Sequence, residues 1–437
     1  MSAQSQSLEA KLKALQCHFT WDLDPSRSKL FRLRDKLEDI GTEEGNRWLG
    51  HIYNLQGHIH YQLGLIDDSR RFFSKAAEAF RQIRNTGSDE GPWLLVNYGN
   101  QAWLHHHQGE EAESRAYLSK VDALMSEYPS PSQDELHPEV YAEKAWTLMK
   151  FRADQKLLAV DYFQRAIRMQ PDMVEWQTSQ VLCSVNALKH SNKELDADMF
   201  EKMRIAKDQD PENLYLAVQY LGQLAKRGEE IEDDARELAR KVLRNPASSD
   251  SGIKALLRLY RHHDTIDEAI DLAEEALEKH PDERFLKRCA ALCYKWKIIF
   301  FSDSDPKQSM IDRAISLHKD LISLYPHSSL VKKIDLANIY AKSKNGLVKA
   351  EQIYQELLER DLEPSDRQML YNSYAKYLNF DRQDRHKSVK YHMKAAAMPI
   401  QSFFRDNSIK TLEKIQERGK NRMCREIREF LANLEEP

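Results

Sequence analysis

A chain of 437 residues with 65 Lys+Arg against 69 Asp+Glu carries a net charge of −4, which gives no global pull toward nucleic acid, although segregated charges would still make a basic surface. The length suits two to four ordinary domains or one long repeat array. Only 14 Gly and 14 Pro argue against turn-rich β architectures, and abundant Ala, Leu, Glu, Lys and Gln favour helix.

The N-terminal "MSAQSQSLEAKLKAL" lacks the apolar region of a signal peptide. No apolar run reaches the length of a membrane span, "IIFF" at Ile298–Phe301 being far too short. The five cysteines are odd in number and lack CxxC spacing, which fits reduced thiols better than disulfides or structural zinc. A soluble cytoplasmic protein is expected. "CHFTWDL", Cys17 to Leu23, gathers a thiol, an imidazole and two aromatics after a helix-like run. Cys17 and His18 lack the further ligands or nucleophile partner that chemistry would need. Phe19 and Trp21 therefore read as anchors for the N-terminal helix, with Thr20 or Asp22 available for capping.

A recurring pattern follows. "YNLQGHIHYQLGLIDDSRRFFSKAAEAF" places Tyr53, Gly57, Gly64, Phe73 and Ala76 at the spacing of a tetratricopeptide unit. Tyr98, Ala102, Gly109 and Leu118 repeat it; Ala159, Phe163, Ala166 and Pro171 supply a second half-unit; Tyr260, Ala269, Ala276 and Pro281 another. "DLANIYAKSKNGLVKAEQIYQELL" and "YAKYLNFDRQDRHKSVKYHMKAAAMP" continue it. Small residues let two antiparallel helices approach, large ones fill the gap, and the next repeat covers the remaining apolar face. The pattern predicts an all-α helix-turn-helix solenoid. Residues 184–213 and 296–314 read as longer connections between units. Soft boundaries near Asn245 and Pro364 give an N-terminal tetratricopeptide subdomain 1–245, a middle one 246–363 and a C-terminal helical subdomain 364–437.

No P-loop, Rossmann fingerprint, HExxH, GxSxG or kinase signature occurs, so no enzyme, cofactor or metal is expected. His105, His106 and His107 would point different ways on a helix, and packing explains them better than a metal. His262 and His263 fall where a helix meets a turn. Three basic arrangements stand out. Lys254, Arg258 and Arg261 follow i, i+4, i+7 spacing on one helix face. Lys410, Lys414, Arg418 and Arg422 recur every four residues, a stripe if Gly419 does not break the helix. Trp146 and Lys150 are four apart, an aromatic plane beside a cation, as base stacking and phosphate contact require. Each also fits an ordinary solvated face or a core tryptophan.

"LQCHFTWDL", "NYGNQAWLHHHQGEEAESRAYLSKV", "AEKAWTLMK", "LYRHHDTIDEAIDLAEEAL", "ALCYKWK" and "FFRDNSIKTLEKI" resemble, in order and near spacing, the interferon-induced proteins with tetratricopeptide repeats. The resemblance covers almost the whole chain, although family members commonly continue into a further repeat, so the C-terminal subdomain is shortened here. It implies a superhelix of three subdomains around a positively charged channel, in a cytoplasmic antiviral effector of innate immunity. Some members bind the 5′ end of foreign single-stranded RNA, triphosphorylated or capped without ribose methylation, and block its translation. Others act mainly through protein partners, including one another.

By the same resemblance, Trp146 matches a tryptophan that stacks on the cap guanine, and Lys150 a lysine that meets 5′ phosphates. Arg261 matches a channel arginine, Lys254 and Lys36 replace arginines, and Arg288 with Cys289 replaces a His-Gln pair. Lys156 stands for a tyrosine, and Asn186 for an arginine that Lys189 would replace across a gap. A phosphate-cradling Gln/Thr pair falls near Ile40 and Thr42. The leading expectation is an RNA-binding effector using Lys36, Trp146, Lys150, Lys254, Arg258, Arg261 and Arg288. The alternative is a tetratricopeptide scaffold of interferon signalling that binds proteins and no RNA.

Overall fold

Glycine writes the turn of the early hairpins. In the computed structural model Gly64, Gly109 and Gly228 adopt φ of +80°, +76° and +83°, the left-handed region that side chains with a Cβ disfavour. At each, the next residue's N–H reaches back to a carbonyl of the preceding helix: Leu65 to His60 at 2.8 Å, Glu110 to His105 at 2.9 Å and Glu229 to Leu224 at 3.2 Å. This pairing closes the helix end and sends the chain back antiparallel.

The structure describes residues 7–23, 26–41, 46, 48–84, 91–130, 132, 135–188, 195–263, 265–301 and 306–434, among which no strand occurs. They fall into two compact units, Met1–Leu256 and Leu257–Pro437, the division lying within the helix Ile253–His262. The first unit opens with Leu8–Lys13, a 3-10 turn His18–Thr20 and Arg27–Glu38. Hairpins follow: Leu49–Gln62 with Ile66–Arg84, Leu95–His107 with Glu111–Glu127, Pro138–Leu148 with Ala153–Met169, Val174–Ala187 with Ala197–Gln209, and Leu214–Lys226 with Glu232–Val242. The second unit continues through Ile266–Lys279, Arg284–Phe300 and Gln308–Leu324, then Leu330–Ala341 with Leu347–Leu358, Pro364–Phe380 with Arg385–Ala397, and Phe403–Arg418 with Cys424–Ala432.

The repeat positions do what their sizes dictate. A Cβ on Gly57 would sit 2.6 Å from the Phe73 ring, and one on Gly50 2.6 Å from Phe80. Only hydrogen lets those aromatic rings seat against the opposing helix. Ala76, Ala102, Ala159, Ala166, Ala269 and Ala276 are fully buried, as are Phe73 and Phe163. The expected long connections are mostly helix: Ala197–Gln209 occupies much of 184–213, and Arg284–Phe300 and Gln308–Leu324 take up both ends of 296–314. Their polar composition hid the second helix of a hairpin, whose outer face needs no apolar residues.

"CHFTW" is a packing knot. His18 N–H donates to Asn100 Oδ1 at 3.0 Å, its Nδ1 pairs with Asn100 Nδ2 at 3.0 Å and its Nε2 with Thr147 Oγ1 at 3.1 Å. Phe19 packs among His58, Tyr61, Trp103 and His107. Trp21 is buried, and Thr20 Oγ1 donates to Leu15 O at 2.8 Å while accepting from Cys17 N–H at 3.2 Å. Burial pushes the Cys17 thiol up to about 12, which keeps it protonated and unreactive.

Candidate nucleic-acid interface

Pro138 opens the helix Pro138–Leu148 at a position where its missing N–H costs nothing. That helix turns Glu139, Glu143 and Trp146 inward, all buried. It ends in a turn in which the Lys150 N–H donates to Thr147 O at 3.0 Å and Phe151 to Leu148 O at 3.0 Å. One turn beyond Trp146, Lys150 folds its ammonium back to 4.2 Å from the centre of the indole. Trp146 is 3% exposed. Trp48 stacks on it with ring centres 5.8 Å apart and planes 17° from parallel, and His51 lies 4.6 Å from Trp48 and 6.2 Å from Trp146.

Lys150 is half-buried. Burial pulls its pKa below the usual lysine range, with Asp250 opposing. Beside it, the buried Cys183 donates to Lys156 O at 3.3 Å. Burial pushes that thiol up to about 12, against the pull of the Lys156 and Lys150 charges. Asn186 lies one turn further along the same helix. Trp146, Lys150, Lys156 and Asn186 are thus brought to one neighbourhood of the first unit. A partly desolvated ammonium supported by a second cation attracts a phosphate more strongly than an isolated, hydrated lysine.

Lys36 is exposed on the last turn of Arg27–Glu38. Just beyond it, Asp39 O accepts from Ser249 N–H at 2.8 Å and Ile40 O from Ser248 Oγ at 2.6 Å. The segment that contains Asp250 and leads into Lys254 is therefore pinned to the end of the Lys36 helix. Ile40 itself is buried, so it offers nothing to a phosphate beyond its backbone; Thr42 and Lys189 lie outside the described residues.

Lys254, Arg258 and Arg261 share one face of Ile253–His262, as their spacing predicts, and all three are half-buried. Within the second unit the Arg261 guanidinium lies 4.9 Å from the Trp296 ring and 5.2 Å from that of Phe300, which is 61% exposed. This aromatic pair fixes the arginine's plane. Arg288 belongs to a second cationic group: its guanidinium is 6.0 Å from the buried Tyr325 ring, with Arg284 at 4.6 Å and Lys332 at 4.3 Å. Arg284 sits one turn before Arg288 on the same helix, a spacing that could have found it, whereas the Trp48 stack escapes such a reading because it joins helices distant in sequence.

The other candidate patterns take structural places. His105 pairs with Glu110 at 2.6 Å and His107 with the Tyr61 hydroxyl at 2.8 Å, so the triplet diverges. Gly419, at φ +64°, ends Phe403–Arg418 and leaves Arg422 off the stripe of Lys410, Lys414 and Arg418. In the first unit, Gln101 Nε2 donates to Asn97 Oδ1 at 2.7 Å, Asn97 Nδ2 to Asn54 Oδ1 at 2.8 Å and Asn54 Nδ2 to Glu143 Oε1 at 2.8 Å. This buried polar chain ties three hairpins together, and burial pushes Glu143 up to about 8.

No protein-family model matches the chain. It is 25% identical to the antiviral innate immune response effector IFIT1 of Macaca fascicularis, over 95% of this chain and 88% of that protein. It is 24% identical to human interferon-induced protein with tetratricopeptide repeats 2, over 98% of this chain and 92% of that one. Over nearly its whole length the chain is thus similar to interferon-induced proteins with tetratricopeptide repeats. The fold agrees: a human IFIT1 dimer solved with PPP-AAAA superposes with a TM-score of 0.67 at 23% identity, covering 94% of this chain and 91% of that one. A monomeric IFIT1 mutant solved with Gppp-AAAA gives 0.70 at 24% identity, covering 95% and 92%. Among the described residues no helix is long and apolar enough to cross a membrane.

Proposed function

We propose that the chain is an antiviral effector of innate immunity that binds the 5′ end, triphosphate or cap, of foreign single-stranded RNA and blocks its translation. It acts in the cytoplasm as a binding protein, with no catalytic step. In the first unit Lys36, Lys150 and Lys254 are the proposed phosphate contacts and Trp146 the proposed aromatic one; in the second, Arg258, Arg261 and Arg288 are proposed as phosphate contacts in their own right. The observation that carries the reading is the Lys150 ammonium 4.2 Å above Trp146. The relatives lend support, since IFIT1 has been solved with PPP-AAAA and with m7Gppp-AAAA. The reading includes three subdomains, 1–245, 246–363 and 364–437, and association with itself or a family member; IFIT1 has been solved as a dimer.

Lys150→Glu tests the proposal. Reversing one charge at a phosphate contact is expected to lower affinity for a 5′-triphosphate single strand by about tenfold or more at moderate salt. Unchanged affinity, measured by fluorescence anisotropy on folded variant, rejects the site. Absence of any RNA binding by the wild-type chain leaves the protein scaffold as the reading to pursue.

A further inference from the structure

Trp48 lies stacked on Trp146, ring centres 5.8 Å apart. It immediately precedes the helix Leu49–Gln62, its N–H donating to Asn46 Oδ1 at 3.0 Å and its C=O accepting from Ile52 N–H at 2.8 Å. Its indole therefore leaves from fixed backbone. His51, at 4.6 Å, and Phe163, at 6.3 Å, pack edge-on against it and hold its plane near parallel to Trp146. Trp48 is half-buried whereas Trp146 is 3% exposed, so Trp48 is the outer member of the pair. The Lys150 ammonium lies over the same Trp146 ring.

We infer that Trp48 is this chain's own occupant of the stacking position on Trp146, so that the site takes a 5′-triphosphate end and turns away a 5′ cap nucleoside. The inference rests on the RNA reading above and narrows it. A triphosphate needs cations, and Lys150 with Lys156 supplies them without disturbing the stack. A cap guanine needs an open aromatic face. To gain one it must displace an indole already stacked on Trp146 and packed on His51 and Phe163, trading one aromatic contact for another with no net return.

The test uses the full chain and one RNA sequence with 5′-hydroxyl, 5′-triphosphate or 5′-Gppp ends. The wild type is expected to bind the triphosphate about tenfold or more tighter than the Gppp end. Trp48→Ala and the less drastic, still apolar Trp48→Leu open the face and are expected to raise Gppp affinity by about 5- to 150-fold, the worth of one stacked base. Triphosphate affinity stays within about threefold, which also reports that the site is intact. The inference is overturned if the wild type binds Gppp as tightly as triphosphate RNA, or if a variant keeping its triphosphate affinity gains none for Gppp. A wild type that does not separate triphosphate from hydroxyl ends overturns the RNA reading itself, and this inference with it.

Discussion

Glu143→Gln should make the first unit more stable, by an amount that grows with pH. Glu143 is 2% exposed and accepts one hydrogen bond, from Asn54. Burial pushes its pKa from 4.5 up to about 8. Between those values the folded chain holds a proton that the unfolded chain has released, so stability falls as pH rises. Integrating the linkage from pH 5 to pH 7.5 gives a loss of about 3 kcal/mol from this one group. Glutamine keeps an acceptor for Asn54 and cannot ionise, so the variant's advantage should widen by about that amount across the interval. His51 and His58, held by burial at about 3, act in the opposite sense, since the unfolded chain binds their protons as pH falls below 6.5. Both proteins share that contribution, and it cancels in the difference. Urea unfolding read by tryptophan fluorescence is the assay, because Trp21, Trp48, Trp93, Trp103, Trp146 and Trp176 all lie in the first unit. A stability difference that stays flat from pH 5 to pH 8 would refute the argument that Glu143 is held protonated.

Other consequences are direct. Gly57→Ala drives a Cβ to 2.6 Å from Phe73 and should cost about 1–3 kcal/mol through overpacking, read as a lower midpoint of the same unfolding transition. Asn97→Leu leaves Asn54 and Gln101 without their buried partner and should destabilise by about 2–4 kcal/mol, whereas Asn97→Asp should be worse. On the proposed role of Arg261 as a phosphate contact, Arg261→Ala should make the slope of log affinity against log salt shallower by about 0.7, checked by titrating triphosphate RNA between low and physiological salt.

The parts legible in the sequence were those decided within a hairpin. Gly57 and Phe73 announce a close helix approach because size alone sets their partner, and Gly64, Gly109 and Gly228 announce turns because backbone conformation does. Lys254, Arg258 and Arg261 share a face because helical geometry puts them there. What depends on meetings across hairpins was silent. Nothing local pairs Trp48 with Trp146, or sets Arg261 between Trp296 and Phe300. The helix Ala197–Gln209 was hidden because an outer helix buries only a few residues, here Met203 and Ala206. "CHFTW" offered the residue types of a reactive site, yet its hydrogen bonds and ring contacts are all spent on packing.

Recognition of a charged 5′ end is measured directly by the affinity of the wild-type chain for one single-stranded RNA carrying either a 5′-triphosphate or a 5′-hydroxyl. Tighter binding of the triphosphate, by about tenfold or more and narrowing as salt rises, is the predicted result. Equal affinity for the two ends, at low and at physiological salt, would contradict it.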